Sequence, residues 1–119
     1  MSRTLKIAVD AMGGDRAPDM VIRGADAALE RDPDLTFILV GDEARIRPLV
    51  AKTRYLKKSD PEIIHTDKAV GAAEKPSAAL RTGRGSSMRM AIDLVGEKKA
   101  DCVVSAGNTG ALMAMAKFV

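Results

Sequence analysis

Tryptophan is absent from the 119-residue sequence, and its only aromatic residues are Phe37, Tyr55 and Phe118. Three rings so few and so scattered cannot build a platform on which unpaired bases stack, so single-stranded nucleic acid is disfavoured as a partner. A single cysteine, Cys102, excludes an internal disulfide and agrees with a reducing compartment. Long apolar runs are missing as well. The best candidates, residues 35–40 and 111–116, fall far short of the roughly 20 residues that cross a bilayer. The N-terminal Met1-Ser2-Arg3-Thr4-Leu5-Lys6 shows no apolar core followed by a small-residue cleavage site. A cytoplasmic protein that does not span the membrane is therefore expected. Nucleotide signatures are lacking too: there is no G-x-x-x-x-G-K-[ST], and Gly83-Arg84-Gly85-Ser86-Ser87-Met88 breaks the G-x-G-x-x-G pattern at its last position. His65 has only Asp67 nearby, and Cys102 lies inside an apolar strand, so neither reads as a metal ligand or a nucleophile.

What is present is the make-up of an ordinary globular domain, with 46% hydrophobic and 29% charged residues. The net charge of +3 comes from one place. Residues 44–59 contain Arg45, Arg47, Lys52, Arg54, Lys57 and Lys58 and no acidic residue. A solvated helix face with a basic loop is the simple reading of that stretch, and an anion-facing patch is the alternative.

Hydrophobic patterning gives alternating strands and helices. Residues 5–9 read as a buried strand ending at Asp10, followed by the glycine-rich turn Met12-Gly13-Gly14-Asp15. Pro18 suits a helix start, Val21, Ala25, Ala28 and Leu29 mark one helical face, and Asp32-Pro33 stops it. Residues 35–40 have no polar face, as in a parallel strand covered on both sides. Gly41-Asp42 reads as a turn and cap before a short helix carrying Ile46, Leu49 and Val50. A brief strand at 63–65 precedes a long loop over residues 66–85. Ser86 and Ser87 then cap a helix with Met88, Ala91, Ile92 and Val95 inward, ended by Gly96. Residues 101–105 form another strand, and Ala106-Gly107-Asn108-Thr109-Gly110 leads into an apolar helix that reaches Val119 without a cap. The chain therefore reads as residues 1–119 of a larger α/β domain.

Two of the strand-to-helix turns are glycine-rich, and in parallel α/β folds such turns share the carboxyl edge of the sheet, where ligands bind. Glycines let backbone N–H groups approach an anion, and the following helix N-terminus adds unpaired donors and a positive dipole end. Phosphate suits such a place. Ser105, Asn108 and Thr109 bring side-chain donors to one turn, Asp10 and Asp15 frame the other, and Arg81 and Arg84 precede the Ser86-Ser87 cap within reach of the same edge. The alternative is that the glycines serve only tight turns and that Asn108 and Thr109 are caps.

Taken together, Ile7-Ala8-Val9-Asp10-Ala11-Met12-Gly13-Gly14-Asp15-Arg16-Ala17-Pro18, Leu39-Val40-Gly41-Asp42-Glu43, Ser86-Ser87-Met88 and Val104-Ser105-Ala106-Gly107-Asn108-Thr109-Gly110-Ala111-Leu112-Met113-Ala114 resemble the phosphate acyltransferase family of bacterial phospholipid synthesis. The resemblance runs over the whole chain. Arg84, where family members commonly have Lys, keeps the charge, and Val70-Gly71-Ala72-Ala73 replaces a segment that often carries Met and Asp. The resemblance implies a three-layer Rossmann-like α/β fold of the isocitrate/isopropylmalate dehydrogenase-like type with a mostly parallel sheet. It implies reversible transfer of a long-chain acyl group from acyl-acyl carrier protein to inorganic phosphate, with no cofactor and no metal. A homodimer, peripheral membrane contact and no nucleic acid partner come with it. Asn108 and Thr109 are then the candidate catalytic residues. Asp10, Gly13, Gly14, Asp15, Arg81, Ser86, Ser87, Ser105, Gly107 and Gly110 are the candidate phosphate-binding ones. Two rivals are a phosphotransacetylase-like enzyme using acetyl coenzyme A and a non-catalytic anion-binding module.

Overall fold

A computed structural model describes residues 5–12, 17–67 and 85–105. Their elements are β1 (Leu5–Asp10), α1 (Asp19–Arg31), β2 (Leu35–Gly41), α2 (Glu43–Ala51), α3 (Leu56–Ser59), β3 (Glu62–His65), α4 (Ser87–Gly96) and β4 (Cys102–Ser105). The four strands form one sheet in the order β3-β2-β1-β4, and every neighbouring pair is parallel. The expected α/β class with a parallel sheet is what the chain adopts.

The central strand β2 is buried on both faces, which explains its unbroken apolar run, where Phe37, Ile38, Leu39 and Val40 are all inside. Alternation along the strands divides them between two cores. Val9, Phe37 and Leu39 pack with Ile22, Ala25 and Leu29 of α1, Ile46 of α2 and Leu56 of α3. Ala8, Ile38 and Val40 face the other way and meet Ala91 and Leu94 of α4, together with Ala100. Each such large side chain, once buried, contributes about 1.5–3 kcal/mol. Chain reversal follows from this layering: β1, β2 and β3 step outward in one direction, and α4 returns the chain to the other side of β1.

Helix ends follow the sequence in part. Asp42 caps α2 as expected, its carboxyl accepting from the Ala44 N–H at 3.1 Å. Ser86 caps α4, accepting from the Arg89 N–H at 3.2 Å. At the far end of α4, Gly96 is the last helical residue, but the left-handed backbone falls at Lys98, with φ of 63°. The turn closes by N–H bonds from Lys98 to Val95 O at 3.0 Å and from Lys99 to Leu94 O at 2.8 Å. Beyond it, Asp101 and Lys6 clasp β4 to β1, with the Lys6 N–H on the Asp101 carboxyl and the Asp101 N–H on Lys6 O, both at 2.8 Å.

Three expectations need correction. The innermost stripe of α1 is Ile22, Ala25 and Leu29, while Val21 and Ala28 flank it half-buried. An apolar arc that includes both neighbours fits either stripe, and docking on the sheet turns the helix to seat Ile22. In α4, Leu94 is buried and Val95 half-buried, because Leu94 faces the sheet next to Ala8 and Ile38. Helix α3 was not anticipated, since four residues carry no periodicity. The expected loop of residues 66–85, the glycine turn beyond Met12 and the apolar helix after Ser105 lie mostly or wholly outside the described residues.

The basic stretch lies at the surface. Arg45, Arg47, Lys52, Arg54, Lys57 and Lys58 are all exposed on and after α2. Arg47 pairs with Glu43 one turn earlier, and Arg54 lies over the Tyr55 ring. Among the described residues, no helix is long and apolar enough to cross a membrane.

Candidate functional site

Parallel strands all end at the same edge, so the carboxyl edge collects the last residues of β1, β2, β3 and β4. Asp10 and Ser105 are register partners there, as are Asp10 and Val40, and Gly41 and His65. The strand order changes direction between β1 and β4. In open α/β sheets such a switch point leaves a crevice at the carboxyl edge, because the connections depart to opposite faces.

A buried carboxyl group lies at that switch point. Asp10 is only 2% exposed, an unusual environment for a charged residue without partners. Its partners come from three parts of the chain. Oδ1 accepts from the Met12 N–H at 3.2 Å and from the hydroxyl of Ser87, and Oδ2 accepts from the Ser105 hydroxyl at 2.9 Å. Ser87 is the first residue of α4 and is fully buried, as is the capping Ser86. Ser105 is half-buried at the end of β4. Residues 77 and 95 positions from Asp10 thus meet on one side chain.

Backbone bonds carry the same stitching across the edge. The Ala11 N–H bonds to Val40 O at 2.9 Å, prolonging the β1–β2 pairing into the turn. Gly41 lets that turn come close. A Cβ there would lie 2.7 Å from Met12 Cγ and 3.0 Å from Ile46 Cδ1. The Thr66 N–H bonds to Gly41 O at 2.9 Å, and the Thr66 hydroxyl donates to Gly85 O at 2.5 Å, joining β3 to the entry of α4. Gly85 has φ of 81°, where glycine is at ease. His65 Nδ1 accepts the Glu43 N–H at 3.1 Å and so helps fix the start of α2.

Of the residues singled out in the sequence, Asp10, Ser86, Ser87 and Ser105 are described, and Ser87 and Ser105 each donate a hydrogen bond to Asp10. Ser105, expected as a donor towards an anion, has its hydroxyl on Asp10 Oδ2. Gly13, Gly14, Asp15, Arg81, Gly107, Asn108, Thr109 and Gly110 lie outside the described residues. Sequence reasoning did not pick out Thr66 or the acceptor role of His65. A side chain that bonds a backbone group 19 or 22 positions away leaves no local signal.

The fold and this edge define the class: an α/β protein with a parallel sheet, helices on both sides of it and a polar cluster at its switch point. The chain belongs to the family described as "Fatty acid synthesis protein", whose profile matches residues 5–119. It is 61% identical over its full length to a phosphate acyltransferase of Rhodospirillum centenum. It is also 56% identical over its full length to one of Parvibaculum lavamentivorans, and 55% identical over 98% of its length to one of Azorhizobium caulinodans. In each case the chain spans 33% of the relative's length.

Proposed function

We propose that the complete protein transfers a long-chain fatty acyl group, reversibly, from acyl-acyl carrier protein to inorganic phosphate at the carboxyl edge between β1 and β4. The product is an acyl phosphate for phospholipid synthesis. The observation that carries this reading is the Asp10–Ser105 register pair, because the chain leaves the sheet there into the two glycine-rich motifs of residues 10–15 and 105–110. The phosphate acyltransferase name borne by its relatives supplies the reaction class.

The chemistry asks little of a protein nucleophile. A phosphate oxygen attacks the thioester carbonyl, the carbonyl oxygen gathers negative charge, and the C–S bond then breaks as the carrier thiolate leaves and takes up a proton. Positioning and charge stabilisation are what remain for the protein. Backbone N–H groups of Gly13, Gly14, Gly107 and Gly110, the side chains of Asn108 and Thr109, and the guanidinium of Arg81 are donors of the kind this needs. Asp15 frames the first turn, and Ser86 and Ser87 build the entry of α4. The protein works without a metal or nucleotide, as a homodimer in the cytoplasm with peripheral membrane contact and no nucleic acid partner.

The test uses the full-length protein with palmitoyl-acyl carrier protein, with and without phosphate, and acetyl coenzyme A as the competing donor. Thioester loss that requires phosphate and greatly prefers the long-chain carrier substrate is the expected result. Asn108→Ala should lower the rate on the order of a hundredfold to a thousandfold, the usual cost of one oxyanion donor. Equal use of acetyl coenzyme A, or thioester loss independent of phosphate, would overturn the reading.

A further inference from the structure

We propose that the basic surface of α2 and α3 docks an acidic protein partner, the carrier that delivers the acyl thioester. The inference rests on the functional reading above and adds to it where the donor protein sits.

Charge is unevenly divided along the chain. Residues 44–59 hold six basic side chains and no acidic one, while the remaining residues contain more acidic than basic side chains. Folding keeps that excess on the outside, since Arg45, Arg47, Lys52, Arg54, Lys57 and Lys58 are all exposed. Local contacts engage the three arginines. Arg47 pairs with Glu43, Arg45 Nη2 donates to Ala17 O at 3.5 Å, and Arg54 lies over the Tyr55 ring. The ammonium groups of Lys52, Lys57 and Lys58 have no ion-pair partner among the described residues. Asp26 of α1, the carboxyl group bound to α3, is occupied by the Tyr55 and Leu56 N–H groups and leaves those lysines uncompensated.

Position links this surface to the edge where transfer is placed. Helix α2 begins at Glu43, directly after β2 ends at Gly41, so its first turn stands at the carboxyl edge. The Arg45 contact with Ala17 ties that turn to the entry of α1. From there the nine residues of α2 lead about 14 Å away from the edge, and α3 follows. A carrier that presents its thioester on a flexible arm needs such a foothold beside the reacting atoms, not over them.

The side chains favour an acidic protein over a lipid surface. Surfaces that bind bilayers combine cations with large apolar side chains that enter the headgroup layer. In residues 44–59 those side chains turn inward: Ile46 and Leu56 are buried, and Leu49, Val50 and Tyr55 pack on the same core. The exposed large hydrophobic residues Leu5, Met20 and Val104 belong to β1, α1 and β4 instead. Cations without apolar anchors attract and orient an acidic folded partner, through forces that salt screens.

The experiment compares the full-length protein with the triple variant Lys52→Glu, Lys57→Glu and Lys58→Glu, using palmitoyl-acyl carrier protein and phosphate as substrates. The KM for the carrier substrate should rise on the order of tenfold, with kcat and the KM for phosphate unchanged. Added sodium chloride should raise the carrier KM of the unaltered protein steeply and that of the variant little. Binding of the unacylated carrier protein, measured by calorimetry, should weaken by the same factor. Lys52→Gln, Lys57→Gln and Lys58→Gln together should give a smaller rise in the same direction, which keeps the test decisive if the reversed charges disturb folding. Carrier KM and carrier binding unchanged in both triple variants overturn the proposal. Loss of binding to vesicles of phosphatidylglycerol and phosphatidylcholine in those same variants would then assign the surface to a bilayer. Failure of the unaltered protein to transfer the acyl group would instead strike at the functional reading, and the calorimetric comparison would still decide where the carrier docks.

Discussion

Asp10 and Asp26, two of the aspartates tied to distant segments, differ in what they hold. Asp10 gathers two hydroxyls and one backbone N–H at the sheet's switch point, and it is almost wholly buried. Asp26, half-buried on α1, accepts the N–H groups of Tyr55 at 2.7 Å and Leu56 at 2.9 Å. Those are donors at the start of α3, where Tyr55 provides no side-chain cap of its own. Asp26 thus caps a helix from 30 residues away and welds α3 to α1. Burial alone would raise the Asp26 pKa. The N–H groups of Leu56, Tyr55 and Arg54, with the Arg54 charge, outweigh that and hold it below its ordinary 3.8. The difference is one of replaceable parts. Backbone donors fix a fold whatever the side chains do, whereas hydroxyl donors can turn.

The largest expected effect isolates packing from capping in the Asp26 region. Leu56 is fully buried and is the main hydrophobic anchor of α3, so Leu56→Ala in the full-length protein should cost about 2–5 kcal/mol in denaturant unfolding. Next, Asp26→Ala leaves the Tyr55 and Leu56 N–H groups without their acceptor and should cost about 1–3 kcal/mol. Acyl transfer per folded molecule should be unchanged. A loss of turnover in this variant at full folding would break the contrast with Asp10.

A third variant touches the Asp10 side. Gly41→Ala would push a Cβ against Met12 and Ile46, whose side chains must shift, at about 1–3 kcal/mol. Because the Met12 N–H is bound by Asp10, a change in phosphate KM should accompany the destabilisation. The smallest effect is in pH. The folded-state pKa of Asp26 lies below 3.8, so its contribution is fully present above that value and fades as pH falls through it towards the folded-state pKa. The stability gap between the unaltered protein and Asp26→Asn should therefore be constant at neutral pH and shrink below about pH 4 in acid unfolding curves. A gap independent of pH would show that the backbone donors do not favour the charged form.

Sequence by itself determined the α/β class, the alternation of strands and helices, and the caps at Asp42 and Ser86. All of these follow from patterns within a few residues: unbroken apolar runs for strands buried on both faces, periodic faces for helices, and a small polar residue ahead of α2 and of α4. It also determined that Asp10 and Ser105 end their strands. Tertiary structure alone decided that they are neighbours, because only the sheet order brings β4 beside β1. It likewise decided that Ile22 rather than Val21 faces the core, that Asp26 caps α3, and that the Ser105 hydroxyl bonds Asp10. The reason is the same in each case. A hydrophobic period states which residues are buried, but a hydrogen bond between side chains depends on where two separate segments are set by packing, and nothing local to either segment records the other.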